Sequence, residues 1–574
     1  MLSSATREPT ASQFERSYSY HRRMSGQHFK FWPANAAHHL DAPATNVFYN
    51  AEVSARRYPH KPCLVYYDTL ITFADVFNEA QRIAGYLEQR CRVRKGDRVL
   101  LFMQNSPQFV IGYYGILRAN AVVVPVNPMY LTQEFLRTAK DAGARTAIVS
   151  QELYPRIEPL LGDALDGVIV AAYSDYLKSP TDLPVPDFIS APRKELSGPA
   201  VTLWCDALAS DLSPGPLTAG TDDLCVMPYT SGTTGEAKGC MHTHRTTMHT
   251  LVASMRWFAT PPEMTLLAVA PFFHVTGMQG SMNGPLYNGN TVVLLPRWDR
   301  VAAAKCVQRY RVNSWTAVPT MIQDFFANPD IDSYDLSSIV KLSGGGAAMP
   351  AAVARRLKER NVTYCEGYGL TETIAASHIN PPDRPKLQCL GIPIYGVDAR
   401  VVDPVTLNEM PAGEVGEILI HGPQVFLGYW NKPELTAQAF TDIDGKRFLR
   451  TGDLGRVDAE GYFFMVDRLK RMINSAGYKV WPSEIESTMY QHAAVLEACV
   501  VGTKDAYRGE TVKAFVVLRP EWRGRVDEQG IGDWCRQNMA AYKVPRIIAF
   551  VDALPKSGSG KIQWRELQDR EAAE

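Results

Sequence analysis

Residues Tyr229 to Gly239, YTSGTTGEAKG, set small hydroxyl side chains, three glycines and a lysine directly after the apolar run LCVMP. Glycines let backbone amides approach a polyphosphate, and the Thr and Ser hydroxyls and Lys238 add donors, so this segment is a cradle for phosphates. It is not a Walker loop: counting from Gly232, Ala237 stands where GxxxxGK needs glycine, and Gly239 follows Lys238. A second glycine and lysine segment, PKSGSGKIQ, ends the chain's motifs and also fails that pattern, because Ile562 follows Lys561. Alone it reads as a solvated turn. In YCEGYGLTET, Tyr364 to Thr373, glycines flank Tyr368 and leave its ring open to stack on a purine, while Glu372 is a hard oxygen ligand suited to Mg²⁺ on a phosphate. In TGDLG, Asp453 can accept hydrogen bonds from ribose hydroxyls, and Arg468 follows it fifteen residues on. Taken singly, the Gly-Tyr-Gly step and Asp453 each read as turns. His274, in APFFHVTGM, is a polar ring among apolar neighbours, the pattern of a core histidine or of a functional one.

These residues need a scaffold of strands and helices. Lys95 to Arg98 reads as a turn feeding the buried strand VLLFMQ, and Phe109 to Val126 as a buried helix followed by a buried strand. Arg118, Asn120 and Pro125 interrupt that run, so it fails as a membrane span. Helix over Gln133 to Ala142 and strand in RTAIVS continue the alternation, which predicts an α/β fold of parallel sheets covered by helices. Tyr173 to Pro216, rich in Pro, Ser and Asp, is expected to be surface loops. A domain boundary is expected at Asp467 to Met472, ahead of a segment with its own pattern in AFVVLRP and WCRQNMAAY.

The 574-residue chain predicts more than one domain, and 46% apolar residues suffice for packed cores. Sixty Lys and Arg balance 60 Asp and Glu, which excludes a global basic field for nucleic acid. Ten dilute cysteines without zinc spacing predict reduced, mostly buried thiols. The charged amino terminus lacks a signal-sequence core, so a cytoplasmic protein is expected.

Together the segments resemble the adenylate-forming superfamily: acyl-CoA synthetases, peptide-synthetase adenylation domains and luciferases. The resemblance runs from KGDRV and NSPQFV through VVVPVNPMY, YTSGTTGEAKG, PFFHVTG, SGGGAAMP, YGLTET, TGDLG and DRLKRMINSAGYKVWPSEIE to PKSGSGKI, in the family's order. It implies a large amino-terminal adenylation domain of packed sheets and helices, residues 1–467, and a small mobile α+β lid, residues 468–574, hinged near Lys470. It also implies attack of a carboxylate on the α-phosphorus of ATP, then of a thiol on the acyl-adenylate.

Carried over by position, Thr230, Ser231, Gly232, Thr233, Thr234, Gly235 and Lys238 would hold the β- and γ-phosphates, and Thr230 with Glu372 would bind Mg²⁺. Gly344, Gly345, Gly346, Gly367, Tyr368 and Gly369 would form the adenine slot, with Thr371 near the α-phosphate. Asp453 and Arg468 would grip the ribose, and Lys561 would bridge the incoming carboxylate and an α-phosphate oxygen. After the lid swings about Lys470, Gly477 and Tyr478 would line the pantetheine path, with His274 between acyl pocket and thiol path. Three departures stand out: Ala237 replaces a common Pro, Asn474 stands where many long-chain synthetases carry Lys, and Glu366 replaces a common Gln and puts an extra acid near the adenine.

Only 13 residues follow Lys561, too few for a carrier domain, so a free-standing ligase using ATP, Mg²⁺ and coenzyme A is expected. A medium- or long-chain fatty acid is the expected substrate, with an aryl or short branched acid, or delivery to a separate carrier protein, as alternatives. No nucleic-acid partner or transmembrane segment is expected. Peripheral membrane contact and oligomeric state stay open.

Overall fold

The computed structural model describes residues 28–231, 237–345, 349, 351–475, 478–505, 509–556 and 562–573. Three large sheets and one two-stranded hairpin among the described residues precede residue 469. A seven-stranded sheet is built on the parallel strands Arg98–Phe102, Val122–Pro125, Thr146–Ser150 and Gly167–Ala171. Between the first two lies the helix Pro107–Arg118, started by Ser106, whose side chain accepts from the Phe109 amide, and by a proline whose missing N–H costs nothing there. That helix is buried from Pro107 to Leu117, as its unbroken apolar face demands. The expected strands at VLLFMQ and RTAIVS are present, and the expected helix spans Thr132–Ala142.

A nine-stranded sheet runs Ile392–Pro393, Ala375–Ile379, Thr363–Leu370, Lys341–Gly345, Ser314–Thr316, Thr265–Ala268, Thr291–Leu294, Pro62–Tyr66, Thr69–Thr72. Its centre is parallel, from Pro62–Tyr66 through Thr363–Leu370, and the outer pairs are antiparallel. Parallel strands buried on both faces read as Val, Ile and Leu runs, and Val292, Val293, Leu294, Leu266 and Leu267 are buried accordingly. Each such side chain removed from water contributes roughly 1.5–3 kcal/mol.

A third, antiparallel sheet holds Asp398–Val402, Gly416–His421, Phe440–Ile443, Lys446–Val457 and Phe463–Arg468. Past the 3₁₀ turn Leu469–Arg471, a separate sheet of Ile473–Ser475, Tyr478–Val480, Val495–Asp505, Gly509–Leu518 and Ile547–Phe550 carries its own core around Ile485, Val500 and Val516. The chain is thus a mixed α/β protein with a large first domain and a small carboxyl-terminal one.

The structure corrects three local expectations. Tyr173 to Pro216 is not only surface loop: it contains the helix Trp204–Ala209 and strand Val201–Leu203, with Tyr173, Ile189 and Trp204 buried. The large aromatic side chains outweigh the Pro and Ser composition there. The Gly-Tyr-Gly segment is strand, not turn, within Thr363–Leu370, and TGDLG lies inside the strand Lys446–Val457. In both, cross-strand pairing overrides the turn propensity of glycine. The ten cysteines are free thiols, eight of them buried, as expected. No helix among the described residues is long and apolar enough to cross a membrane.

Candidate active site

In parallel sheets ligands gather beyond the carboxyl ends of the strands. The motif residues lie there. The glycine strand Lys341–Gly345 ends on Gly344 and Gly345, which pair with Glu366 and Gly367 of the neighbouring strand. A Cβ on Gly345 would meet the Gly367 carbonyl oxygen at 2.1 Å, and one on Gly344 would meet that of Ala317 at 1.8 Å. Only glycine allows this backbone approach, and it leaves a flat, side-chain-free strip next to Tyr368. The same Gly344 Cβ would come within 3.0 Å of the Tyr364 hydroxyl, which is buried with no hydrogen-bond partner among the described residues. Such a strip, with an orphaned hydroxyl beside it, fits a flat heterocycle.

Tyr368 donates its hydroxyl to Asp453 Oδ2 at 2.6 Å, and Arg468 Nε lies 2.9 Å from Asp453 Oδ1. Asp453 and Arg468 are cross-strand partners, which is why fifteen residues of separation bring them together. Asp453 is buried; its charge raises the Arg468 pKa above the ordinary value. The buried Glu417 fixes the neighbouring backbone: it accepts from Arg450 at 2.6 Å and from the amide of Gly452, whose φ of 67° suits glycine.

The phosphate-cradle motif folds as a hairpin, Tyr229–Ser231 against Ala237–Gly239, and places Thr230 opposite Lys238. Gly232, Thr233, Thr234 and Gly235 fall outside the described residues. Lys238 Nζ sits 5.1 Å from the centre of the Tyr429 ring, and the Tyr429 hydroxyl donates to Glu372 Oε1 at 2.7 Å. One aromatic side chain therefore joins the cradle lysine to the carboxylate expected to hold Mg²⁺. No group of three or more His, Cys, Asp or Glu capable of holding a metal occurs among the described residues. Magnesium keeps several waters and binds through one or two carboxylates plus substrate phosphates, so Glu372 with the Thr230 hydroxyl suits a metal that arrives with a nucleotide.

Thr371 and Glu372 lie on the 3₁₀ turn Thr371–Thr373. The turn is tied down by Glu372 carbonyl accepting from the Phe426 amide at 2.9 Å and by His242 Nε2–H donating to the Thr371 carbonyl at 2.8 Å. Burial pushes the His242 pKa down to about 4, which keeps its ring neutral for that role. His274 is half-buried and starts a short helix, its Nδ1 accepting from the Thr276 amide at 3.3 Å. The loop before it is anchored by Asn105, of the NSPQFV motif, which bonds the Phe272 amide at 2.8 Å and the Ala270 carbonyl at 3.0 Å.

Lys470 is on the turn Leu469–Arg471; burial first, then the charges of Arg565 and Lys238, lower its pKa. A local cationic cluster thus sits in a chain of zero net charge. Tyr478 begins the strand Tyr478–Val480. Gly346, Gly477 and Lys561 lie outside the described residues. Glu366, expected as an acid near the adenine, pairs with Gly344 and turns its carboxylate onto backbone amides: Oε1 accepts from Gln388 at 3.1 Å and Met349 at 3.3 Å.

Sequence reading missed Tyr429, His242 and Glu417. Each acts through a partner more than 30 residues away, so no local spacing marks it.

Sheets with glycine-lined strand ends, a hydroxyl-rich hairpin and a small carboxyl-terminal domain define an adenylate-forming enzyme. The chain belongs to the AMP-binding enzyme family: residues 51–430 match that family and residues 484–561 its C-terminal domain. It is 34% identical over 553 residues to a long-chain-fatty-acid–CoA ligase of Bacillus subtilis (strain 168), covering 94% of this chain and 97% of the relative. It is also 34% identical over 520 residues to a feruloyl-CoA synthase of Amycolatopsis sp, covering 90% and 97%. Among solved structures, the anthranilate CoA ligase AuaEII in complex with anthranoyl-AMP superposes with a TM-score of 0.78 at 30% identity, over 92% of this chain and 98% of that one. The protein is an AMP-forming acid–CoA ligase.

Proposed function

We propose that the acid is a medium- or long-chain fatty acid, and that the two half-reactions use the residues singled out in the sequence. The end-to-end similarity to a fatty-acid–CoA ligase carries the choice of acid. In the first step a carboxylate oxygen bonds to the α-phosphorus of ATP and the bond to pyrophosphate breaks. Thr230, Ser231, Gly232, Thr233, Thr234, Gly235 and Lys238 hold the β- and γ-phosphates, and the strip of Gly344, Gly345, Gly346, Gly367 and Gly369 beside Tyr368 takes the adenine. Asp453 and Arg468 bind the ribose, a role supported by their pairing with each other and with Tyr368. Thr371 approaches the α-phosphate. Mg²⁺, held by Glu372 and Thr230 with the nucleotide's phosphates, would neutralise charge on the leaving pyrophosphate. Lys561 spans the carboxylate and an α-phosphate oxygen and stabilises the charge that develops as two anions meet.

In the second step the sulfur of coenzyme A bonds to the acyl carbon and the bond to AMP oxygen breaks. The lid, residues 468–574, turns about Lys470 to bring Gly477 and Tyr478 to the pantetheine path, while His274 separates acyl and thiol channels. Binding and orientation supply most of the rate.

An aryl acid is the second reading. The similarity to a feruloyl-CoA synthase favours it, as does Gln279, on the segment after His274, whose buried amide nitrogen has no partner among the described residues and suits a polar ring substituent. Pyrophosphate release across fatty acids of graded length and several aryl acids, with and without coenzyme A, tests the choice. Preference for the longer fatty acids supports the proposal, and faster turnover of aryl acids overturns it.

A further inference from the structure

Asp467 is buried on the strand Phe463–Arg468, three residues before Lys470. Its two carboxylate oxygens take different partners. Oδ1 accepts from the Arg468 amide at 2.6 Å, on its own strand, and Oδ2 accepts from the Ser483 amide at 2.8 Å, beyond Lys470 in the first turn of the helix Pro482–Met489. The Arg471 Nε, buried and without a hydrogen-bond partner among the described residues, lies 3.9 Å from Oδ1. An asparagine could not replace this carboxylate, because its NH₂ would face one of the two amides. The helix that Asp467 holds is tied in turn to the end of the chain. Glu486, on that helix, pairs with Arg471 and accepts from the Val500 amide at 2.7 Å, while Arg471 donates to the Val500 carbonyl at 3.2 Å and lies 5.6 Å from the centre of the Trp564 ring. Trp564 opens the last helix, Trp564–Ala573, three residues past Lys561.

In this arrangement Lys470 feels the charges of both Arg565, on the last helix, and Lys238, in the phosphate cradle. The start of the last helix therefore stands near the cradle, where the role assigned to Lys561 in adenylation needs it. We infer that Asp467 is a positioning residue for the first half-reaction: by accepting the Ser483 amide it latches the lid in the adenylation orientation, and the latch opens when the lid turns for transfer to coenzyme A. The inference rests on the proposed swing of the lid about Lys470. Without a swing the same contact would favour neither step over the other.

Two variants of the full-length protein, one on each side of Lys470, test it. Asp467→Asn sets an NH₂ against an amide, and Ser483→Pro deletes the N–H itself, in the first turn of a helix, where proline is tolerated. Single-turnover pyrophosphate release, with the fastest acid of the substrate screen, reads adenylation. Acyl-CoA formed from the isolated acyl-adenylate of the same acid reads transfer. Both variants are expected to adenylate about tenfold more slowly, the weight of one hydrogen bond to a charged group, and to transfer within about twofold of wild type. Equal losses in the two half-reactions, loss in neither, or loss confined to transfer overturns the inference, and either variant decides if the other does not fold. Hydrogen exchange across Pro482–Met489 in the wild type, with AMP alone and with AMP and coenzyme A, tests the swing itself. Exchange that coenzyme A leaves unchanged overturns the swing and the latch with it. Exchange that it raises, beside half-reactions that fall together, spares the swing and overturns the latch alone.

Discussion

The Tyr429 hydroxyl donates to Glu372 Oε1 at 2.7 Å, while the face of the same ring carries the ammonium of Lys238 at 5.1 Å. The two charged groups assigned to the phosphates and Mg²⁺ are therefore set by one aromatic side chain from a segment 57 residues beyond Glu372.

Tyr429→Phe keeps the ring under Lys238 and removes only the bond to Glu372. Hydrogen bonds to charged groups are worth about 1.5–3 kcal/mol, so the Mg²⁺ concentration for half-maximal activity should rise about tenfold or more. Titrating Mg²⁺ at saturating ATP reads this directly. An unchanged Mg²⁺ requirement would separate Tyr429 from the metal.

Asp453→Ala strips both Tyr368 and Arg468 of their partner. KM for ATP should rise by roughly ten- to a hundredfold, from the lost charge-assisted bonds, with melting temperature changed far less because Arg468 is partly exposed. Steady-state kinetics in ATP beside a thermal melt separates the two effects.

Burial lowers the pKa of His28, His242 and His244 to about 4 and of His378 to about 3. These rings are neutral when folded, whereas in the unfolded chain they take up protons below 6.5. The unfolded state then binds more protons, so stability falls as pH drops from 6.5 toward 4, by about 1.4 kcal/mol per pH unit per histidine. His242→Gln keeps a donor for Thr371 and removes one of these protons. Its melting temperature should fall less steeply than that of wild type between pH 6.5 and 4.5, and parallel curves would contradict the assignment.

Lys561→Ala should slow acyl-adenylate formation by on the order of 10² to 10³. Transfer from preformed acyl-adenylate to coenzyme A should stay near wild type, because the proposed swing of the lid would take the lysine out of the site for that step. Single-turnover measurement of each half-reaction distinguishes these outcomes.

The placing of Thr230 opposite Lys238, the glycine strip and the Asp453 to Arg468 pair all draw on residues that the sequence already singled out by type. Their secondary structure was less legible. Glycines in YGLTET and TGDLG read as turns, yet both segments are strands, since pairing with Lys341–Gly345 and Phe463–Arg468 decides their conformation. Tyr429 and His242 stayed hidden because they act across folds of the chain on a carboxylate and a carbonyl. Glu366 was visible as a residue, but its direction was not: it accepts from the backbone amides of Gln388 and Met349, contacts that no local spacing marks.

The most direct test of the account follows one oxygen atom. If the carboxylate attacks the α-phosphorus and the thiol then displaces AMP at the acyl carbon, a fatty acid labelled with ¹⁸O in its carboxylate must leave one labelled oxygen in AMP. Mass spectrometry of AMP, pyrophosphate and acyl-CoA after turnover with Mg²⁺, ATP and coenzyme A should find the label in AMP, and none in pyrophosphate. Label in pyrophosphate or in free phosphate, or unlabelled AMP, would contradict the acyl-adenylate route.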